Sequence, residues 1–397
     1  MSTERQGLSS DKKWDKQTVV VHDCHDERHF GAVTMPMYQN SLFTFSCHKE
    51  FYEALDSPLE HHLYSRGNNP SVNELERRLA LLEGGEAARC FASGMAAISA
   101  AIMSAVKAGD HVICVDHVYG PTREMLGNYL HRFGIETTFV NGESIESIEA
   151  AVRPNTSMLY LESPTSMTIR LQDLHACAEL AKRIGATTII DNTWATPIFQ
   201  NPLELGIDLV VHSLTKYIGG HSDIMAGVII GSHERLQEIG RQEFLLYGGI
   251  MTPQTACLAM RGLRTLPLRM ERLQQNGLTV AAYLDELPYI ARVNHPGLTT
   301  YPQHELAKQQ MSGYGSLFSF EMALPLEQVL TWADRLQMFR IGVSWGGYES
   351  LVQVVRPLAG QEGEELVLVR LYAGLEDPEL LIQDMRSSFE QLGLSKN

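Results

Sequence analysis

The sequence predicts an α/β protein with a mostly parallel sheet, followed by a smaller α+β unit. Between residues 88 and 231, short apolar segments alternate with longer helical segments, which is the pattern of a parallel sheet with helices on both faces. Near residue 250 the connections between strands and helices become shorter. The length of 397 residues is enough for roughly two to three domains.

Seven apolar segments are predicted strands of the large sheet. Most are short and rich in Val and Ile, and polar residues follow them, as expected of buried parallel strands. Because ligands of open α/β sheets bind at the carboxyl ends of the strands, the residues that follow these segments are the first candidates for a site. The segments are residues 88–92, 111–119, 135–140, 157–164, 187–191, 208–212 and 226–231.

The helical segments carry recognisable start and stop signals. The segment 72–84 is amphipathic and ends at a pair of glycines, and Ser93 is a good N-cap for the strongly helical residues that follow it. Helical sequence is also predicted at 123–134, 174–185, 255–287 and 326–337, with a further strand at 366–377.

Charge and composition exclude several classes of function. The net charge of −15 argues against binding to nucleic acid or to an anionic membrane surface. No apolar run of about 18 residues suggests a transmembrane helix, and the first residues lack the apolar core of a signal peptide. The six cysteines are widely spaced and include no CxxC, so we expect reduced thiols in a cytoplasmic protein.

A carboxylate and an amine follow two neighbouring predicted strands. Asp191 ends one strand, Lys216 lies just past the next, and Ser213 and Thr215 add hydroxyl groups immediately before the amine. This set matches what pyridoxal phosphate (PLP) requires, which is an amine for its aldehyde, a carboxylate for its ring nitrogen and hydroxyls for its phosphate. A surface lysine and a capping aspartate are the simpler alternative for these residues taken alone.

Two other segments could bind a phosphate. After the Ser93 cap, the free N–H groups of Gly94 and Met95 begin a helix and form an anion site. Tyr64 and Arg66 are two residues apart in a turn-rich segment, so they share a face in an extended chain, and Arg binds phosphate with a bidentate fork. An ordinary capped helix and a solvated loop are the alternatives.

Tyr119 and Arg370 complete the candidates. Tyr119 ends a predicted strand, where its ring could stack on a planar cofactor or lie half-buried in the core. Arg370 lies within an apolar strand, and either a substrate carboxylate or an internal salt bridge could neutralise its charge. No metal is expected, because the ligand-type residues near the N-terminus fit no zinc spacing. These residues are His22, Cys24, His25 and His29.

The ordered motifs of the chain resemble those of the Cys/Met-metabolism family of PLP enzymes, which includes cystathionine β-lyases, cystathionine γ-synthases, cystathionine γ-lyases and methionine γ-lyases. The likeness runs from about Thr18 to Asp377. It implies the aspartate-aminotransferase-like fold (fold type I), with an N-terminal arm at 1–67, a PLP-binding domain at 68–262 containing a seven-stranded sheet, and a small C-terminal domain at 263–397. The motifs are GAVTMPMYQNSLFTF, YSRGNNPS, LEGGEAARCFASGMAAI, YGPTREM, LESPTS, DNTWATP, SLTKYIGGHSD, RGLRTLPLRM, VNHPGL, SWGGYESL and RLYAGLED.

The resemblance implies roles for residues around the cofactor. Lys216 is similar to the lysine that forms a Schiff base with PLP and carries protons, and Asp191 is similar to the partner of the pyridine nitrogen. Tyr119 resembles the ring that stacks on the cofactor. The remaining matches imply a phosphate cradle made of Gly94, Met95, Ser213 and Thr215.

The resemblance also implies partners beyond the single chain. Tyr64 and Arg66 resemble a pair that reaches the phosphate from a neighbouring subunit, so we expect a homodimer as the active unit, and homotetramers are common in the family. Arg370, with Ser344 nearby, resembles the residue that binds the α-carboxylate of an amino-acid substrate.

Residues near the substrate resemble the β-lyase branch of the family. Val343 stands where γ-synthases and γ-lyases usually have Glu, whereas SWGGYESL, with Trp345, and YGPTREM are similar to bacterial cystathionine β-lyases. Glu124 falls near an acidic residue that β-lyases offer to the distal amino group of cystathionine. The implied reaction is β-elimination of L-cystathionine to homocysteine, pyruvate and ammonia, a transsulfuration step in methionine biosynthesis.

Other activities stay open at this point. The YSRGNNPS loop resembles the synthase type, so a cystathionine γ-synthase, an O-acylhomoserine sulfhydrylase or a γ-lyase of the same family is an alternative. A non-catalytic binding protein that kept the fold is an alternative of another class.

Overall fold

The seven predicted strands form one sheet. The computed structural model describes residues 14–22, 29–355 and 366–394. The strands of the large sheet are β1 (Ala87–Phe91), β2 (His111–Val115), β3 (Glu136–Val140), β4 (Thr156–Glu162), β5 (Thr187–Asp191), β6 (Leu209–Ser213) and β7 (Gly227–Gly231). Their spatial order is β1-β7-β6-β5-β4-β2-β3.

Most neighbours in this sheet are parallel. The pairs β6–β5, β5–β4, β4–β2 and β2–β3 are parallel, and β7 is antiparallel to both β6 and β1. The predicted α/β class with a mostly parallel seven-stranded sheet is therefore confirmed. At the carboxyl edge, Glu162 on β4 lies beside Asp191 on β5 in the strand register.

Helices cover both faces of the sheet because successive strand residues point to opposite sides. Along β7, Ile229 packs in the core cluster that contains α4, whereas Val228 and Ile230 pack with α3 and α11. The helices of this part are α1 (Lys16–Val21), α2 (His48–Asp56), α3 (Pro70–Glu83), α4 (Gly94–Ala105), α5 (Gly120–Glu124), α6 (Ile145–Glu149), α7 (Leu174–Ile184), α8 (Thr196–Phe199), α9 (His233–Ile239), α10 (Leu245–Tyr247), α11 (Pro253–Arg264) and α12 (Leu266–Asp285).

Local sequence signals set several helix ends. Gly84 ends α3 with a left-handed φ of 78°, which glycine adopts without steric cost. Ser93 begins α4, and its hydroxyl oxygen accepts the N–H of Ala96 at 3.1 Å. Both ends agree with the sequence prediction.

Two predicted helical segments are interrupted. In the segment 123–134, α5 ends at Glu124 and is followed by a π-helical turn (Met125–Tyr129) and a 3-10 turn (Leu130–Phe133). The segment 255–287 is divided between α11 and α12 at Thr265. Pro267 lies in the first turn of α12, where its missing N–H is tolerated, but it could not continue the hydrogen-bond ladder of α11.

A second, smaller sheet lies in the C-terminal part. Its strands are β8 (Ile290–Asn294), β9 (Leu317–Met322), β10 (Arg340–Ile341), β11 (Leu351–Val354) and β12 (Val367–Tyr372), in the order β10-β11-β12-β9-β8. The helices here are α13 (His304–Gln310), α14 (Leu326–Arg335) and α15 (Pro378–Gln391). Residues of α12, α14 and α15 share a core with this sheet, in which Trp332 stacks on Phe389 with ring centres 5.0 Å apart.

The described N-terminal residues expose apolar side chains. Phe30, Val33 and Leu42 are all exposed in this chain. The domain boundaries at 67/68 and 262/263, and the contact of the arm with another subunit, stay predictions. Within the described ranges, every helix is too short or too polar to cross a membrane.

Candidate active site

Lys216 lies in the loop after β6, and its amine points to the C-terminal unit. The Nζ atom donates a hydrogen bond to Ser344 Oγ at 2.7 Å and lies 5.6 Å from the centre of the Trp345 ring. Ser344 and Trp345 belong to the loop between β10 and β11. The tertiary structure therefore brings three predicted site residues together between the large sheet and the smaller unit.

Two residues far away in the sequence contact the backbone at and just after Lys216. Gly346 has φ +89°, and a Cβ atom there would lie 2.7 Å from the carbonyl carbon of Lys216, so only glycine permits this approach. The Arg269 guanidinium donates to the carbonyl oxygen of the next residue, Tyr217, at 2.5 Å and to that of Gly262 at 2.7 Å. Both residues lie in motifs noted in the sequence, but their contacts with this loop could not be predicted from spacing.

Asp191 places a buried carboxylate at the end of β5. The Thr193 N–H donates to its Oδ1 at 2.9 Å. Burial raises the pKa of Asp191, while the hydrogen bonds from Thr193 and the charge of Lys216 act in the opposite direction. Because these interactions do not fully offset the cost of burying the charge, the carboxylate is suited to a cationic partner.

The start of α4 lies against the end of β6. A Cβ atom on Gly94 would be 3.0 Å from Ser213 Oγ, so the glycine lets the helix N-terminus approach the strand end. The N–H groups of Gly94 and Met95 belong to the first turn of a helix and are therefore suited to an anion. Thr215 lies nearby in sequence, and its Oγ1 accepts the N–H of Ala226 at 3.1 Å.

Arg370 lies on β12 and is 8% exposed. Its Nη2 atom donates to the carbonyl oxygen of Val343 at 2.6 Å. No carboxylate among the described residues lies within 4.0 Å of its guanidinium nitrogens, so the positive charge is available to a substrate carboxylate. Burial, followed by the charge of Arg370, lowers the pKa of Lys216 to about 8, and Asp191 opposes this effect.

Glu162 is a site residue to which sequence reasoning gave no role. Its carboxyl group accepts the N–H groups of Tyr119 and Ser166, each at 2.7 Å. Burial, followed by the charge of Asp191, raises the pKa of Glu162 to about 8. Tyr119 begins α5 with its side chain exposed rather than half-buried in the core. Two signals could have found Glu162, because it lies in the LESPTS motif and it ends β4 as Asp191 ends β5.

Three predicted residues make their contacts elsewhere in the single chain. Arg66 donates to the Leu245 carbonyl oxygen at 3.0 Å, and its guanidinium lies 5.7 Å from the centre of the exposed Tyr64 ring. Glu124 accepts a hydrogen bond from Asn128 at 2.8 Å. The roles of Tyr64 and Arg66 across a subunit interface, and of Glu124 at the substrate, stay predictions.

A cavity of about 960 Å³ lies apart from this cluster, between the described N-terminal segment, α3 and α11. None of the residues predicted to bind PLP or the substrate lines this cavity. Within 14–22, 29–355 and 366–394, no group of three or more His, Cys, Asp or Glu side chains is arranged to hold a metal ion. Cys24 and His25 lie outside the described residues.

The cluster fits PLP by its chemistry. The cofactor has an aldehyde, a basic ring nitrogen and an anionic phosphate. Lys216 offers an amine, Asp191 a buried carboxylate, and the N-terminus of α4 an anion site beside Ser213. The Gly94 approach supports this assignment, because a side chain there would collide with Ser213 and push the helix N-terminus away from that hydroxyl.

These features, at the carboxyl edge of a mostly parallel seven-stranded sheet and facing a smaller α+β unit, define the chain as a PLP-dependent enzyme of fold type I. The model of the family described as Cys/Met metabolism PLP-dependent enzyme matches residues 17–390, and the chain belongs to this family. A structure described as metB from Corynebacterium glutamicum is similar with a TM-score of 0.88 and 32% identity, covering 96% of this chain and 98% of that one. The predicted family, fold class and cofactor are confirmed.

Similar proteins differ in the reaction that their names state. The chain is 39% identical over 388 residues to a cystathionine γ-lyase of Bacillus subtilis (strain 168), covering 95% of this chain and 100% of the relative. It is 38% identical over 394 residues to an L-methionine γ-lyase of Fusobacterium nucleatum subsp. polymorphum, covering 96% and 99%. It is 36% identical over 386 residues to a cystathionine β-lyase of Lactococcus lactis subsp. cremoris (strain MG1363), covering 94% and 99%. The chain is thus similar to carbon–sulfur lyases of both the β and the γ type.

Proposed function

We propose that the protein is a cystathionine β-lyase, which releases homocysteine, pyruvate and ammonia from L-cystathionine. The observation that carries this proposal is Val343, an exposed aliphatic residue directly before Ser344, the partner of the Lys216 amine. In β-elimination one C–H proton is removed before sulfur leaves, whereas γ-elimination must also move a proton at Cβ. A valine offers no carboxylate for such an additional transfer, where γ-type members of the family usually have Glu.

In this proposal Lys216 transfers protons. When bound, PLP withdraws the electron pair that remains at Cα after proton removal. The Lys216 amine takes the α-proton, and its lowered pKa of about 8 gives it a substantial neutral fraction near physiological pH. Ser344 Oγ, at 2.7 Å, orients the amine from the side of the C-terminal unit. Lys216 or Tyr119 then protonates the sulfur of the departing homocysteine.

Other residues bind and orient. Arg370 binds the α-carboxylate of the substrate, and its buried position excludes water from that contact. Asp191 would hold the ring nitrogen of PLP with its buried carboxylate. The three-carbon enamine left after sulfur departs is hydrolysed by water to pyruvate and ammonia. The residues that would hold the phosphate are Gly94, Met95, Ser213 and Thr215, with Tyr64 and Arg66 of a neighbouring subunit.

A product assay with L-cystathionine tests the proposal. We expect homocysteine and pyruvate in equal amounts from the wild-type enzyme, and none above background from Lys216→Ala, whose fold is checked by circular dichroism. Release of 2-oxobutyrate and cysteine without pyruvate would contradict β-elimination. Activity retained by Lys216→Ala would contradict the assignment of the lysine.

The second candidate function is γ-elimination. It is favoured by the 39% and 38% identity to relatives named as γ-lyases. It predicts that cystathionine yields 2-oxobutyrate, or that L-methionine yields 2-oxobutyrate and methanethiol. The same assay with an O-acyl homoserine and a thiol detects a γ-synthase or sulfhydrylase by thioether formation. PLP bound to Lys216 should give a visible absorbance band, and borohydride should fix the cofactor on that lysine. A purified protein that lacks this band would favour a non-catalytic relative.

We also propose that the active unit is a homodimer. Within one chain, Arg66 binds the Leu245 carbonyl oxygen and Tyr64 is exposed, which supports a role for the pair at the site of a neighbouring subunit. Mixing Lys216→Ala with Arg66→Ala subunits should restore activity, because a hybrid dimer contains one site with both native residues. No recovery after mixing would contradict a shared site. A tetrameric assembly and a cytoplasmic location stay predictions, and sedimentation measures the former.

A further inference from the structure

Glu162 is a buried carboxyl group that the proposed reaction does not use. It ends β4 and is 4% exposed. Its Oε2 atom accepts the N–H of Tyr119, and its Oε1 atom accepts the N–H of Ser166. Tyr119 follows β2 and Ser166 follows β4, so one carboxyl group joins two loops at the carboxyl edge of the sheet.

We propose that Glu162 is a positioning residue that holds Tyr119 in place to stack on the cofactor. The inference rests on the proposed stacking role of Tyr119. The Tyr119 side chain makes no capping hydrogen bond and is 45% exposed, so part of the side chain is open to a cofactor. Glu162 accepts the backbone N–H of Tyr119 at 2.7 Å. This bond fixes the backbone position from which the Tyr119 side chain extends.

A carboxyl group suits this position better than an amide. It has two acceptor oxygens and satisfies both N–H groups at once, whereas glutamine has one oxygen and would turn its NH2 group toward the second N–H. The ionisable groups that interact with Glu162 lie on its own strand, on the adjacent strands β2 and β5, and on β12 of the smaller sheet. They are Asp191 on β5, Arg370 on β12, Cys114 on β2 and Tyr160 on β4. Burial and Asp191 raise the pKa of Glu162, and the two N–H groups oppose this effect.

A double-mutant cycle on cofactor binding tests the inference. The apparent Kd for PLP is measured by titrating the apoenzyme and following visible absorbance, for wild type, Glu162→Gln, Tyr119→Ala and the double variant. Glu162→Gln should weaken binding by about tenfold, because it removes one of the two N–H bonds that the carboxyl oxygens accept. If Glu162 acts through Tyr119, the double variant should bind no more weakly than Tyr119→Ala alone.

Two other outcomes overturn the inference. If the fold-losses in PLP affinity of Glu162→Gln and Tyr119→Ala multiply in the double variant, Glu162 does not act through Tyr119. If Tyr119→Ala binds PLP as tightly as wild type, there is no stacking for Glu162 to position, and the proposed role of Tyr119 fails with it. The cystathionine product assay is independent of both results, so failure of β-elimination is distinguishable from failure of this inference.

Glu76 provides a matched control. It is a buried glutamate on α3 that accepts the Cys90 N–H at 2.8 Å, and burial raises its pKa as well. Glu76→Gln should lower the thermal midpoint but leave the Kd for PLP and the visible circular dichroism of the bound cofactor unchanged. Equal weakening of PLP binding by Glu76→Gln and Glu162→Gln would show a general effect of folding and overturn the inference. Should Glu162→Gln not fold, Glu162→Asp takes its place, because it keeps a carboxyl group with two oxygens and shortens the reach.

Discussion

Replacing Gly346 with alanine should displace the backbone of Lys216. The added Cβ would lie 2.7 Å from both the carbonyl carbon of Lys216 and the nitrogen of Tyr217, which are backbone atoms and cannot rotate away. The left-handed φ of +89° costs alanine about 1–2 kcal/mol. Overpacking adds about 1–3 kcal/mol, so we expect the free energy of unfolding to fall by about 2–5 kcal/mol in total.

Gly109 is a matched control for the cost of placing alanine at a left-handed φ. Its φ is +90°, and a Cβ there would meet nothing within 4 Å. Gly109→Ala should therefore cost about 1–2 kcal/mol and leave cofactor binding unchanged. Urea unfolding of both apoenzymes measures the difference, and PLP titration shows whether Gly346→Ala alone weakens binding as Lys216 moves. Equal losses of stability, or PLP bound by Gly346→Ala with wild-type affinity, would refute the packing argument.

Three further predictions concern titratable groups and the reaction type. Because the pKa of Lys216 is lowered to about 8 and only the neutral amine attacks an aldehyde, PLP uptake by the apoenzyme should accelerate as the pH rises through about 8. Stopped-flow absorbance measures the rate, and a flat profile would contradict the assignment. Burial lowers the pKa of His295 from 6.5 to about 4, so the unfolded chain binds its proton more tightly. Protonation of His295 therefore costs no stability well above pH 6.5. At pH 5 it lowers the free energy of unfolding by about 2 kcal/mol. Urea unfolding should show a smaller acid loss in His295→Gln than in wild type, and an equal loss would contradict this. Val343→Glu should raise the ratio of 2-oxobutyrate to pyruvate from cystathionine by about tenfold or more, and Val343→Gln should not. An unchanged product ratio would remove the argument from Val343.

The large sheet was predictable because its signals are local. The strand segments 187–191 and 208–212 are apolar on both faces, and such strands are buried in a parallel sheet whatever the rest of the chain does. The ends of helices α3 and α4 followed from Gly84 and Ser93 for the same reason. The interruptions in the segments 123–134 and 255–287 were not predicted, since hydrophobic periodicity continues across them.

The candidate site divides in the same way. Asp191 and Lys216 follow adjoining strands, so topology alone places them at one edge of the sheet. The resemblance to a family supplied Ser344 and Trp345 as candidates, but only folding places Ser344 at 2.7 Å from the Lys216 amine. The N–H bonds to Glu162 and the clamp of Arg269 on the Tyr217 carbonyl oxygen were not predicted at all.

The sequence by itself determined the sheet, because side-chain periodicity is local. It also determined the family and the cofactor, because the resemblance rests on short ordered motifs along the chain. The tertiary structure decided which charges share the site and how close they lie. Arg370 lies on the smaller sheet and Lys216 in the loop that follows β6 of the large sheet, and the lowered pKa of the lysine arises from burial and from their approach. Burial and distance are properties of packing between segments far apart in sequence, and no local pattern encodes them.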